Sequence, residues 1–233
     1  MFLKYQQYPE YKKTNFEMTL SEFKPIFMYE YLHRILGRII GIIFFIPLLY
    51  FTLRKAIPPV LIPRLYLLLI LGGFQGVLGW YMVKSGLVDD PNVSQYRLTA
   101  HLGMAVFIYS LILWTVFDLS LNYNHAIRSR IKWMSSTLTL LIFLMILSGG
   151  LVAGTRAGIP FPTWPLMGDT FIPPQIYSMN PSWLSAFEDM ATIQFNHRMF
   201  AYLLTIFIVI FAIVLLRSNV PRFLKNSTTA LLF

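Results

Sequence analysis

Glu30-Tyr31-Leu32-His33-Arg34-Ile35-Leu36-Gly37-Arg38 decides how the chain is read, because it sets ionisable residues at the mouth of an unbroken apolar run. Glu30, His33, Arg34 and Gly37 fall at i, i+3, i+4 and i+7, so in a helix they share one face, with Arg38 one turn past Arg34. An imidazole on that face can ligate a metal, an acid stands one turn away, and guanidinium groups are offered to carboxylates. Gly37 and Gly41 leave the surface beside the imidazole flat enough for something large to lie against.

The apolar run that follows is one of five. Of 233 residues 56% are hydrophobic and only 12% charged, too few polar residues to cover a soluble globule. Windows of near 20 residues, the length of a bilayer crossing, fall at 31–53 (span A), 65–81 (B), 98–119 (C), 134–153 (D) and 199–216 (E). The expected fold is all-α, a polytopic transmembrane helical bundle of five spans in contact with membrane lipid. The chain has no cysteine, which excludes disulfides and thiolate metal sites. Residues 1–24 are polar and mixed in charge, without the basic, apolar and small-residue pattern of a signal peptide.

A net charge of +9 would suggest nucleic acid in a soluble chain. Here its distribution reports topology instead, and no nucleic-acid partner is expected. Arg54, Lys55 and Arg64 lie between A and B, Arg128, Arg130 and Lys132 between C and D, and Arg217, Arg222 and Lys225 after E, opposed only by Asp118. The positive-inside rule puts these segments in the cytoplasm or matrix. The polar N-terminal tail is then outside with no preceding helix to carry it across, so a segment upstream is expected.

Thr19-Leu20-Ser21-Glu22 has the spacing of a capping box, so helix A is expected to start near residue 20, and Pro47 to kink it unless neighbouring groups take up the freed carbonyl. Span B carries Gly72, Gly73, Gly76 and Gly79 around Gln75, readable either as helix packing or as ligand contact. Trp80 and Tyr81 suit interface anchors. Span D ends in a run of glycines, Gly150, Gly154 and Gly158, with Arg156 inside it. The D–E loop, 159–189, is long and rich in proline and aromatics, as functional lids often are.

A, C and E run in one direction, and His33, His101 and His197 each lie toward the N-terminal end of one of them. All three are therefore expected near the outer face, where two on adjacent helices can clasp one iron from opposite sides. A single interfacial histidine is more often structural; three at one level, two followed by arginine, favour ligation of a haem, with His33, His101 and His197 as metal ligands. His125, in the basic inner loop, is expected to be solvent-exposed. Arg34, Arg38, Arg97 and Arg198 are candidate propionate partners, although interfacial arginines also simply snorkel. Glu30 can move protons at the edge of a low-dielectric region, or merely pair with Arg34 at i+4.

Glu30-x-x-His33-Arg34 and Gln194-x-x-His197-Arg198 align at the heads of A and E, a weak internal repeat. The copy of His101 would fall past Phe233, and D would copy a helix preceding residue 1. The expectation is the middle of an eight-helix chain, a partial copy of a two-fold four-helix-bundle repeat. It divides into an outer polar segment (1–28), an N-terminal haem-binding half (29–130) and a partial C-terminal half (131–233). A further helix headed by a histidine should follow at the spacing that separates His33 from His101.

These residues, with Pro9-Glu10-Tyr11, Glu22-Phe23-Lys24, Gln75-Gly76-x-x-Gly79-Trp80-Tyr81-Met82-Val83, Tyr96-Arg97-x-x-x-His101-Leu102-Gly103 and Val152-Ala153-Gly154-x-x-Ala157-Gly158, carry a resemblance through nearly the whole chain. It resembles haem A synthase, in the cysteine-free proteobacterial and mitochondrial branch. The resemblance implies a multi-pass inner-membrane enzyme that oxidises a methyl group of haem O to a formyl group by successive hydroxylation, for terminal oxidase biogenesis. Haem O would sit between His33 and His101 in the first half, with Glu30 at the position of the family's important acid. A relay haem b would sit in the second half, where His197 matches one ligand and nothing here matches its partner. It also implies haem O synthase and terminal oxidase assembly factors as partners, a histidine layer facing periplasm or intermembrane space, and room for a homo-oligomer. The rival readings are a bis-histidine cytochrome b that transfers electrons without chemistry of its own, and a haem-handling assembly subunit.

Overall fold

A computed structural model describes residues 1–86, 91–121 and 127–232. Among the described residues the regular structure is helical: α1 (Phe2–Tyr5), α2 (Pro9–Lys13), α3 (Leu20–Leu53), α4 (Ile62–Gly86), α5 (Gln95–Ser120), α6 (Ser129–Thr155), a 3₁₀ turn (Ser182–Leu184), α7 (Ser185–Glu188), α8 (Met190–Leu216) and α9 (Arg222–Leu232). Five of these, α3, α4, α5, α6 and α8, are long and apolar enough to cross a membrane, which makes the chain a polytopic helical membrane protein. His125 lies outside the described residues. The chain forms two compact units, Met1–Val116 and Phe117–Phe233.

In the first unit, α3 starts where the capping box places it. Thr19 Oγ1 accepts from the Glu22 amide at 3.4 Å while the Glu22 carboxylate accepts from the Thr19 amide at 2.8 Å. The helix then runs 34 residues without interruption, with Pro25 and Pro47 inside it. At 1.5 Å per residue α3 is about 51 Å long, well over the ~30 Å of a hydrocarbon core. Counting about 20 residues back from its C-terminal end at Leu53 brings the edge of a bilayer crossing to Arg34, so Glu30 and His33 stand where such a crossing would end. The excess length carries the N-terminal segment: α1 and α2 fold against the first turns of α3 through Phe2, Tyr5, Tyr11 and buried Phe23. Phe27 and Tyr31 continue that stack along α3 toward the histidine, with centroids 5.8 and 5.9 Å apart. Further in, α3 packs on α4.

In the second unit the main packing is α6 against α8. Met134 and Gly150 of α6 and Leu204, Ala212 and Leu215 of α8 are among its buried residues. Arg156 closes α6 in the left-handed conformation, φ 56°, and returns its amide to the carbonyls of Val152 and Ala153. Helix α8 begins at Met190, two turns ahead of the apolar window at 199, because Asp189 caps it: its carboxylate accepts from the Thr192 amide at 2.8 Å and from the Thr192 hydroxyl at 2.6 Å. Those first turns carry Gln194, Asn196, His197 and Arg198, whose polarity hides them from a hydropathy window. His197 thus sits in the third turn of a helix rather than at its head.

Candidate functional site

On α3, His33 is exposed on a face that is open around it: a Cβ built on Gly37 or Gly41 meets nothing within 4 Å. The helical spacing brings Arg34 Nη1 to 3.2 Å from Glu30 Oε2, and both side chains remain substantially exposed. An exposed i,i+4 pair of this kind contributes about 0.3–0.5 kcal/mol, so it orients Glu30 without committing it to stability.

His101 enters from α5 and is held by α4. Gln75 Nε2 donates to the His101 carbonyl at 3.0 Å. The imidazole lies against Gly79, where an added Cβ would stand 2.9 Å from Cε1, 3.4 Å from Nε2 and 3.6 Å from Nδ1. The choice left open for the α4 glycines is thereby divided: Gly79 makes room for a side chain of α5, whereas a Cβ at Gly72, Gly73 or Gly76 meets nothing within 4 Å. His101 Nδ1 is buried without a hydrogen-bond partner among the described residues, a costly condition for a polar atom and one expected of a group awaiting a ligand. Arg97, one turn before His101, places its guanidinium 5.0 Å from the centroid of the Tyr81 ring, and Lys84 sits 4.6 Å over Trp80. Arg38 is exposed on α3.

The second unit carries the third histidine. His197 Nδ1 is 3.0 Å from Ser148 Oγ on α6, and its Cε1 is 3.5 Å from where a Cβ on Gly149 would be. Arg198 is committed to the loop at 159–189: Nη1 donates to the Leu166 carbonyl at 3.0 Å and Nη2 to the Phe161 carbonyl at 2.7 Å. With its amide oxygen turned inward, Gln194 accepts from Nη2 and Nε of the same guanidinium, each at 3.2 Å. Further ties fix the rest of the loop. The Tyr177 amide donates to Thr192 Oγ1 and its phenol to Asn196 Oδ1, both at 3.0 Å, while the Met179 amide donates to Ser185 Oγ at 3.1 Å. The first turns of α8 therefore hold the loop through residues on both sides of His197 in sequence. Arg198→Ala removes the clamp on its first half, so limited proteolysis should cut between 159 and 170 at least severalfold faster than in the parent, with cleavage elsewhere unchanged.

Among the described residues no three His, Cys, Asp or Glu side chains converge. A porphyrin brings its own four nitrogens and asks one or two imidazoles of the protein. The open α3 face, the orphaned Nδ1 of His101 and a His197 with one nitrogen engaged all fit that demand. Sequence reading had named His33, His101, His197 and the arginines; it did not find Ser148 or the contact made by Gly79, since no local pattern reports what lies across a helix interface.

A family model described as cytochrome oxidase assembly protein, COX15-CtaA, matches residues 1–233. A protein named Heme A synthase from Nitrosospira multiformis is 50% identical over 216 residues, covering 91% of this chain and 60% of its own length. Namesakes from Parvibaculum lavamentivorans and Wolbachia pipientis wMel are 46% and 39% identical, covering 88% and 91% of this chain and 60% and 61% of their own lengths. The chain thus spans about 60% of the length of the curated relatives it matches. No solved structure matches the chain significantly.

Proposed function

Because this chain belongs to the COX15-CtaA family of cytochrome oxidase assembly proteins, we propose that it takes part in making haem A, as a haem A synthase that oxidises a methyl group of haem O to a formyl group in an inner membrane. The observation that supports the reading is the setting of His101, whose ring lies against Gly79 of α4 with its Nδ1 buried and unpartnered among the described residues, in the same unit as His33 on the open Gly37 and Gly41 face of α3. Residues 29–130 would then form the substrate-binding half, with His33 and His101 as the residues that would hold the iron of the substrate haem. Residues 131–233 supply His197 to a relay haem b. That haem, when bound, supplies one-electron chemistry.

Written with water as the oxygen source, converting methyl to formyl releases four protons and four electrons to an acceptor, so the site needs a proton path as well as an electron path. Glu30 is one helical turn from His33, at the level where α3 leaves the hydrocarbon, and takes protons from the reacting edge to the aqueous side. Arg34 keeps that carboxylate oriented, and Arg38 and Arg97 offer guanidinium groups to propionates. Arg198, already shared between two loop carbonyls and Gln194, acts chiefly by holding the cover.

The test is chemical. The chain is produced in membranes that contain haem O but lack their own haem A synthase, and haems are extracted with acid acetone and separated. Haem A, or its hydroxylated precursor, is the expected product. Haem b alone, with haem O unchanged, would overturn the synthase reading in favour of a bis-histidine electron carrier. Glu30→Gln removes the proton-accepting charge while keeping shape. It should lower formyl formation by about 10²-fold, the lower end for a general base, and shift the melting temperature little because the ion pair is exposed.

A further inference from the structure

Hydroxyl groups on membrane helices usually return to their own backbone. Ser110, Thr115, Thr139, Thr155 and Thr205 all do so here, each donating to the carbonyl four residues earlier at 2.7–3.0 Å. Ser148 behaves differently. Its hydroxyl crosses from α6 to α8 and meets His197 Nδ1 at 3.0 Å, while Gly149 lets the ring lie close against α6. A hydrogen bond at one imidazole nitrogen fixes the ring and its tautomer and leaves the other nitrogen for a metal. His197 Nε2 carries no hydrogen bond to the described residues.

We propose that Ser148 is a positioning residue for His197: its Oγ would accept a hydrogen bond from Nδ1–H when Nε2 holds iron, keeping the imidazole in the orientation and tautomer that a ligand needs. The proposal rests on the reading of His197 as a haem ligand. No local motif marks Ser148. Its role comes from the closeness of α6 and α8, which places a short hydroxyl side chain, followed by two glycines, opposite the ring.

The test is a haem b titration of the full chain in micelles, with His33→Ala and His101→Ala in the background so that the absorption change reports on His197. Ser148→Ala should weaken haem binding by about 10- to 100-fold, the usual effect of removing the partner of a metal-bound histidine. Ser148→Thr, which keeps the hydroxyl, should restore most of it, and helicity and melting of the haem-free protein should not separate the variants. A second readout needs no haem: in ¹⁵N-histidine spectra, with the His197 signals identified by their loss in His197→Gln, Ser148→Ala should change the tautomer ratio. Full affinity in Ser148→Ala, or equal losses in the alanine and threonine variants, overturns the role while His197→Ala still loses haem. Unchanged binding in His197→Ala instead overturns the ligand reading beneath it.

Discussion

Replacing His101 by alanine should abolish the bis-histidine spectrum of haem bound to the first half and lower its affinity by more than about 100-fold, beyond the usual range for a supporting residue around a metal ligand. The same change should leave the haem-free protein no less stable. His101 Nδ1 is buried with no partner among the described residues, and an unsatisfied buried polar atom costs about 1–3 kcal/mol, so truncating the ring removes a penalty along with some packing. Gln75 would still hold the backbone of α5 through the residue-101 carbonyl. Opposite signs for ligand affinity and apo stability distinguish a ligand from a packing residue. Titration with haem, followed by melting of the haem-free form, reads both, and exogenous imidazole should restore part of the low-spin spectrum. An unchanged spectrum in His101→Ala would falsify ligation by this residue.

The second large effect is expected from a residue with no side chain. Gly79→Ala places a methyl carbon 2.9 Å from His101 Cε1, against the ~3.5–4.0 Å at which carbon atoms rest. The ring is the movable partner, so it must retreat by about 0.6–1 Å, and a displacement of that size at a ligand with a short, directional bond should weaken haem binding by roughly 10- to 100-fold. Gly73→Ala is the control. It lies in the same helix on a different face, and its added methyl meets nothing within 4 Å. Replacing a helical glycine by alanine otherwise stabilises by about 0.5–1 kcal/mol, so Gly73→Ala should melt slightly higher and bind haem as the parent does. Equal binding in the two variants would remove Gly79 from the site.

How much of this was legible beforehand varies by residue. The capping box at Thr19 and Glu22, the common face of Glu30, His33 and Arg34, and the five spans follow from residue type and spacing, because the bonds that make a helix are local. The start of α8 was missed by two turns. There the deciding interaction is an Asp189 carboxylate on a backbone amide, in a stretch whose glutamine, asparagine, histidine and arginine depress any hydropathy average. Arg198 read equally well as a propionate partner; only the folded loop shows its guanidinium on the carbonyls of Phe161 and Leu166. Likewise the four glycines of α4 looked alike in sequence, and the position of α5 singles out Gly79.

The sequence by itself therefore determined that this is a helical membrane protein, which residues ride together on each helix, and which histidines are worth asking about. Periodicity and hydropathy are properties of neighbours along the chain, and they need no knowledge of the rest. Tertiary structure alone decided which partner each imidazole meets: Gly79 and Gln75 beside His101, and Ser148 beside His197. Those contacts join residues 22 to 49 positions apart on different helices, and the register of one helix on another is set by packing over their whole length, which no short stretch of either encodes.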